Sequence, residues 1–148
     1  MKRLVFDAGL FLLLFTRERG SDNAREALVR HERGELEIYM HPNNLAEAYR
    51  FISLIRKEKP GLLVRDITPE TVIRSAYATL RIIQDEATTV KLGLLKLKYY
   101  DKPWSSLSAA AASLRLSEKG DVQVFVLDQE KHFEDIKELS TIKTSELY

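Results

Sequence analysis

The apolar stretch at residues 4–15 is interrupted by one charged residue, Asp7, and by Gly9. Residues 2–6 are β-prone and residues 10–15 form a second apolar run, so this pattern predicts a buried strand that leads directly into a helix. Asp7 could simply cap that helix. However, a carboxylate inside so apolar a segment requires a partner, because burying an unpaired charge is costly. The surroundings of Asp7 therefore favour a functional role.

The composition restricts the class of protein. The chain has 148 residues, of which 45% are hydrophobic and 30% charged, and residues 1–148 are expected to form one domain. The absence of cysteine excludes a thiolate metal site and favours an intracellular, cytoplasmic setting. The apolar stretch is too short to span a bilayer, so no membrane association is expected. Since the net charge is only +1, any nucleic-acid binding must be local.

The order of predicted elements indicates the fold class. Strands are predicted at residues 2–6, 36–40 and 122–126, with helices between them, and residues 62–66 and 140–143 are compatible with short strands. Residues 130–139 look helical. This order favours an α/β fold in which a mostly parallel central sheet is covered by helices.

Three acids follow or lie close to the predicted strand ends, where ligands bind in sheets of this kind. Asp7 follows the first strand, Glu47 lies in the first turns of the helix after the second, and Asp128 follows the strand at 122–126. We therefore expect these carboxylates to converge. Two have structural alternatives, because Glu47 can complete a capping-box-like pair with Asn44, and Asp128 can cap the helix predicted at 130–139.

Four short segments carry a resemblance to a known family. They read LVFDAG at residues 4–9, NLAE at 44–47, WSSLSA at 104–109 and VLDQEKHF at 126–133. In this order they resemble the motifs of PIN domains, the small nuclease fold that includes the VapC-like toxins of bacteria and archaea. The resemblance implies a three-layer α/β/α domain with an acidic site.

The chain departs from the family pattern at two positions. Ser108 stands where the family carries its third acid, just before an alanine. In the last segment, residue type and the strand end favour Asp128, whereas the usual spacing before Phe133 selects Glu130, so both stay candidates. The site could be degenerate or rebuilt with Asp101, and Ser108 could serve substrate contact or be only a packing residue.

The resemblance implies metal-dependent hydrolysis of RNA, the toxin role in a toxin–antitoxin pair, an antitoxin partner and a homodimer. Mg²⁺ or Mn²⁺ would suit such a site, because hard cations prefer carboxylate oxygens and can orient a water for attack on phosphorus. Asp7 is the expected central ligand, with Glu47 and either Asp128 or Glu130. The alternative is a catalytically degenerate PIN-like domain that acts as an RNA-binding or protein-binding regulatory module.

A local basic patch is the candidate surface for RNA. Lysines can neutralise phosphates and aromatic rings can stack on unpaired bases. The patch comprises Lys91, Lys96, Lys98 and Lys102, interleaved with Tyr99, Tyr100 and Trp104. Alternatively, Leu92, Leu95 and Tyr99 share one helical face, which makes the lysines its solvated side. Arg50 and Arg56 are lesser candidates.

Overall fold

In the computed structural model, which describes residues 1–118 and 120–147, five strands form a single sheet whose neighbouring strands are all parallel. The predicted α/β class with a parallel central sheet is thus confirmed. The strand order is β3-β2-β1-β4-β5, which places the N-terminal strand at the centre. The strands are β1 (Lys2–Phe6), β2 (Leu36–Met40), β3 (Arg81–Ile82), β4 (Val122–Val126) and β5 (Thr141–Lys143).

The helices begin at residues suited to that position. Proline occupies the first position of two helices, where its missing N–H costs nothing. The Thr68 hydroxyl and the Asp85 carboxylate cap two helices by accepting backbone N–H groups at 3.2 and 2.7 Å. The helices are α1 (Ala8–Leu12), α2 (Ser21–Glu32), α3 (Pro42–Glu58), α4 (Pro69–Thr79), α5 (Glu86–Lys98) and α6 (Trp104–Ser117).

Helices cover both faces of the sheet. Because successive strand side chains point to opposite faces, Leu4 and Phe6 pack with the buried residues of α1, α2, α3 and α4, whereas Val5 packs with those of α5 and α6. The rings of Phe6 and Phe125 stack with centroids 5.7 Å apart and join β1 to β4. Residues 109–112, all alanine and fully buried, let α6 approach the sheet closely. These contacts give the expected three layers.

Three local predictions were wrong. Residues 130–139 form turns rather than a helix, because Phe133 and Ile136 are buried and Lys102 Nζ donates to the His132 carbonyl at 3.0 Å. Residues 62–66 form only an isolated antiparallel bridge, which joins Leu63 to Thr16. Residues 81–82 form the short strand β3, which was not among the predicted strands.

Among the described residues, no helix is both long and apolar enough to cross a bilayer.

Candidate active site

A cleft of about 400 Å³ opens where the carboxyl ends of β1 and β2 meet the first turns of α3 and α6. Parallel strands bring their carboxyl ends to one edge, so this is where the predicted acids were expected to meet. Three carboxylates line the cleft, together with hydroxyl, amide and imidazole groups. Its polar lining consists of Asp7, Asn44, Glu47, Ser105, Ser106, Glu130 and His132.

Asp7 lies directly after the central strand and is the N-cap of α1. Its Oδ1 accepts a hydrogen bond from the Leu10 backbone N–H at 2.8 Å. Burial raises the pKa of Asp7 from its ordinary value of 3.8 to about 6, with a smaller upward contribution from the charge of Glu130, while the Leu10 hydrogen bond opposes the rise in pKa. Asp7 therefore holds its negative charge at an electrostatic cost that a nearby cation would relieve.

Glu47 and Asn44 are one turn apart at the start of α3, on the side that faces the cleft. Glu47 Oε1 lies 3.3 Å from the Arg50 guanidinium, and its side chain is 31% exposed, which leaves it able to turn. Asn44 is fully buried and donates from Nδ2 to the Ser105 carbonyl at 2.8 Å. Its Oδ1 has no hydrogen-bond partner among the described residues. A buried amide oxygen without a hydrogen-bond partner is available as a ligand for a hard cation.

Glu130 supplies the third carboxylate of the cleft. Its Oε1 accepts hydrogen bonds from the backbone N–H groups of Lys131 and His132 at 2.8 and 2.7 Å, and lies 3.3 Å from His132 Nδ1. These contacts fix the carboxylate by its own neighbours in the turn. Of the two alternatives left open for the last acid, Glu130 is the residue that lies with Asp7 and Glu47.

Asp128 lies elsewhere, in a small cleft near β5. Its Oδ1 accepts hydrogen bonds from the Thr144 hydroxyl and the Ser145 backbone N–H, both at 3.1 Å. The Ser145 backbone contact is the main reason why the pKa of Asp128 lies below its ordinary value. Asp128 thus accepts hydrogen bonds from the first two residues of the 3-10 turn Thr144–Glu146 and does not cap a helix at 130–139. The expected convergence of Asp128 with Asp7 and Glu47 is not found.

Ser108 also lies outside the cleft. It is fully buried, donates to the Trp104 carbonyl at 2.7 Å and accepts from Asn43 Nδ2 at 3.0 Å, so its hydroxyl is satisfied within the protein. Ser105 and Ser106, in the first turn of α6, line the cleft instead. Asp101 is exposed in the preceding turn and is not part of the lining.

Three of the four lysines of the predicted RNA surface are engaged with the protein. Lys96 Nζ donates to the Lys102 carbonyl at 2.6 Å, Lys98 pairs with Glu138, and Lys102 pairs with Asp135 at 2.6 Å. Lys91 is half-buried on α5 and has no ion pair within the described residues. Arg56, the lesser candidate on α3, lies 3.5 Å from Asp66. This surface therefore carries less available positive charge than its sequence suggests.

The cleft has the donor chemistry of a site for a hard divalent cation. Carboxylate and amide oxygens are the ligands that Mg²⁺ and Mn²⁺ prefer. A cation would stabilise the ionised form of Asp7, whose pKa is raised by burial, and would give the buried Asn44 Oδ1 a partner. Within residues 1–118 and 120–147, however, no three His, Asp or Glu side chains are close enough together to bind one ion. The donor types fit, and the ligand set is incomplete in this arrangement.

Solved structures of VapBC complexes share this fold. The chain matches a chain of VapBC2 from Rickettsia felis bound to a DNA fragment from their promoter, with 14% identity, a TM-score of 0.64, and coverage of 95% of this chain and 98% of that one. It also matches a chain of VapBC-1 from nontypeable Haemophilus influenzae, with 14% identity, a TM-score of 0.57 and coverage of 97% and 98%. No protein-family model and no curated protein matches the sequence. The PIN-like fold expected from the motifs is confirmed.

Proposed function

We propose that this chain, which has the PIN fold, is a divalent-metal-dependent ribonuclease that hydrolyses phosphodiester bonds as the toxin of a toxin–antitoxin pair in the cytoplasm. The observation that carries the proposal is the cleft shared by Asp7, Glu47 and Glu130 at the carboxyl edge of the sheet. Three carboxylates from three separate segments line this one cleft, although burial makes ionised Asp7 unfavourable. Such an arrangement is costly for stability alone, which is why we assign it a function.

Asp7 would hold Mg²⁺ or Mn²⁺, with Glu47 and Glu130 completing the site directly or through water. A bound divalent cation would neutralise the charge that develops on the phosphodiester and favour attack by water. Glu47 is free to turn towards Asp7 because its contact with Arg50 is partly exposed and therefore weak. Ser105 and Ser106 contribute neutral hydroxyls, which are poorer ligands than a carboxylate, so we expect weak metal binding and slow turnover.

An apolar groove beside the acidic cleft supports an antitoxin partner. The groove is continuous with the cleft, because Gly9 and Phe51 line both. A protein segment seated there would restrict access to Asp7, which is what inhibition of a toxin requires. The similar solved structures are two-component VapBC complexes. The apolar lining comprises Gly9, Leu12, Leu13, Phe51, Leu54, Ile55, Leu62 and Leu127.

A homodimer is supported by the outer face of α5. Apolar side chains at helical spacing are exposed there: Val90 (56%), Leu94 (58%) and Leu97 (80%). Gly93 lies beside this stripe with open space around its Cα, so a second helix can approach closely. Glu86 lies in the first turn and Lys98, which also pairs with Glu138, in the last turn. Two copies of α5 packed antiparallel would therefore bring Glu86 of one copy near Lys98 of the other. We propose this antiparallel arrangement.

The second candidate function is a catalytically degenerate PIN-like module that binds RNA or protein. The observation that favours it is the absence of a three-ligand cluster among the described residues, together with serines where an acid would complete the cleft. Such a module would bind its partner equally well with and without a divalent cation. The two candidates are therefore separated by metal binding.

Titration of the purified protein with Mn²⁺ tests the proposal. We expect a saturable site that Asp7→Asn and Glu130→Gln each weaken at least tenfold, and cleavage of RNA that is lost in the same variants. Asp128→Asn is the matched control, because it also converts a carboxylate to an amide but lies outside the cleft, and it should bind Mn²⁺ normally. If Mn²⁺ shows no saturable binding and RNA binds equally well without metal, the ribonuclease proposal is wrong and the protein is the non-catalytic binding module.

A further inference from the structure

A second, basic cleft of about 590 Å³ lies at the C-terminal end of α3, away from the acids. Its lining brings together residues from three segments: the end of α3, the chain after α1 and the chain after the 3-10 turn Pro60–Leu62. Among the titratable residues of the lining, four are cationic and one is acidic. They are Arg17, Arg56, Lys57, Arg65 and Asp66.

The backbone that carries two of these cations is held in place by hydrogen bonds. The Arg17 N–H donates to the Leu62 carbonyl at 2.8 Å, and the Val64 N–H donates to the Phe15 carbonyl at 3.0 Å. The Arg17 guanidinium also donates to the Val64 carbonyl at 3.2 Å. Arg17 and Arg65 therefore reach the cleft from a paired backbone, and their approach to the end of α3 is built into the fold.

The positive charge of this basic cleft is largely unbalanced. The single carboxylate, Asp66, pairs with Arg56 at 3.5 Å, and within the described part of the chain Arg17, Lys57 and Arg65 form no ion pair. In the predicted lysine surface three of the four lysines contact protein oxygens. In the basic cleft two of the four cations do, Arg17 with the Val64 carbonyl and Arg56 with Asp66. The basic cleft thus carries four cationic side chains and one carboxylate.

A purely structural explanation covers only part of the basic cleft. Arg56 and Lys57 lie in the last turn of α3, where cations stabilise the helix by offsetting its dipole. Arg17 and Arg65 lie outside the helix and gain nothing from this effect. Their convergence on the same cleft, against the repulsion of like charges, indicates an anionic ligand.

The lining favours a phosphodiester backbone. It contains no Phe, Tyr or Trp, so the cleft offers charge for phosphates and no ring on which a base could stack. Along α3, Lys57 and Arg50, which contacts Glu47, are seven residues apart. That spacing places them on one face of the helix, about 10 Å from each other along its axis.

We infer that the basic cleft of Arg17, Arg56, Lys57 and Arg65 is a second RNA site, which binds the phosphate backbone of a single strand whose scissile bond lies at the acids. This inference rests on the proposed ribonuclease function. The cleft supplies affinity without sequence information, because phosphate contacts position a strand and do not read bases. The acids alone would repel RNA, and the basic cleft offsets that repulsion.

The test measures the binding of a fluorescently labelled single-stranded RNA by anisotropy, in an Asp7→Asn background that prevents cleavage. The test protein carries Lys57→Gln and Arg65→Gln, and the control carries Lys137→Gln and Arg33→Gln. Both pairs remove one lysine and one arginine, and the control residues line neither cleft. Circular dichroism and thermal denaturation of both double variants establish that they are folded.

We expect the test pair to weaken RNA binding at least tenfold and to reduce the slope of log affinity against log salt by about 1.4, since each phosphate contact to a single strand contributes about 0.7. The control pair should change affinity less than twofold. Equal losses in both pairs would mean that only net charge matters, and would overturn the inference. Inorganic phosphate is also added at a concentration equal to that of the phosphate groups in the RNA. If it displaces the RNA fully, the cleft is a site for small anions and the inference is overturned.

The outcome is distinguishable from failure of the proposed function. RNA binding is measured without cleavage in the Asp7→Asn background. Mn²⁺ binding is titrated separately with the test pair in the wild-type background, where it should be unchanged because the pair does not line the acidic cleft. If Mn²⁺-dependent cleavage is present and the test pair binds RNA normally, the ribonuclease stands and the second site is wrong. If the test pair loses RNA binding while no Mn²⁺ binds, the basic cleft stands as the surface of a non-catalytic module.

Discussion

The Leu10 backbone N–H donates to Asp7 Oδ1 at 2.8 Å, so the carboxylate that faces the acidic cleft is also the N-cap of α1. Asp7 thus has a structural role that is separable from the metal binding proposed for it. The cap needs an oxygen acceptor, which an amide retains, whereas metal binding needs a negative charge. Asp7→Asn therefore removes the charge and keeps the cap.

The pH dependence of stability should reveal the burial of Asp7. Its pKa is raised from 3.8 to about 6, so the folded state binds a proton more tightly than the unfolded state. Its contribution to stability is therefore complete below about pH 4 and is lost as the pH rises through 6. We expect this loss to be about 2 kcal/mol, reduced from the full shift because Asp7 is partly exposed. Urea denaturation at several pH values should show the loss in the wild-type protein and not in Asp7→Asn.

Asp7→Ala is the control for the cap. It removes the charge and the acceptor together, so it should be less stable than Asp7→Asn by about 1 kcal/mol at every pH. Parallel stability curves for the wild-type protein and Asp7→Asn between pH 4 and 7 would contradict the raised pKa.

An added carboxylate at Ser105 should complete the acidic cleft. Ser105 is partly exposed, lines the cleft and lies in the first turn of α6, where the helix dipole favours negative charge. We expect Ser105→Asp to raise the affinity for Mn²⁺ about tenfold, because it adds an anionic oxygen donor to Asp7, Glu47 and Glu130. Calorimetric titration of the folded variant measures this change.

Ser108→Asp is the matched variant three residues further along the helix. Its carboxylate would be buried against Asn43 and the Trp104 carbonyl without a cation, so we expect a loss of about 3 kcal/mol in the free energy of unfolding and no gain in Mn²⁺ affinity. A gain in affinity for Ser108→Asp and none for Ser105→Asp would mean that the metal site lies elsewhere.

The positions of Asp7 and Glu47 were predictable because each follows a strand of the central sheet closely in sequence, and parallel strands end at a common edge. The sequence did not allow a choice between Asp128 and Glu130 as the third acid of the cleft. The partners of Asp128, Thr144 and Ser145, lie far along the chain, and the turns at 130–139 are set by contacts such as that of Lys102 with the His132 carbonyl.

The sequence also does not show which side of α6 faces the acidic cleft. Its residues 106–113 read SLSAAAAS and are all buried. Small residues therefore surround the helix, and no apolar stripe in the sequence shows which side faces the cleft. Ser105 and Ser106 could not be separated from Ser108 on this basis. Apart from Arg56, the cations of the basic cleft were missed because they come from three segments, whereas the lysine surface is contiguous in sequence and therefore conspicuous.

Asp128 should matter for stability and not for metal binding. Asp128→Ala removes the acceptor of the Ser145 N–H and the Thr144 hydroxyl, so we expect a thermal denaturation midpoint lower by several degrees at neutral pH. The pKa of Asp128 lies below its ordinary value, which means that its stabilisation is present above about pH 4 and is lost at lower pH. The midpoints of the two proteins should therefore converge in acid. A weakened Mn²⁺ titration would instead place Asp128 in the metal site.

The outer face of α5 should determine the oligomeric state. In the proposed antiparallel dimer, Leu94 is at the centre of the buried stripe and beside Gly93, so Leu94→Arg would place two arginines against each other in an apolar interface. We expect sedimentation velocity to show a dimer for the wild-type protein and a monomer for this variant. Tyr77→Arg is the control, since Tyr77 is similarly exposed (52%) but lies on α4. A dimer that survives Leu94→Arg, or a monomeric wild-type protein at high concentration, would contradict this interface.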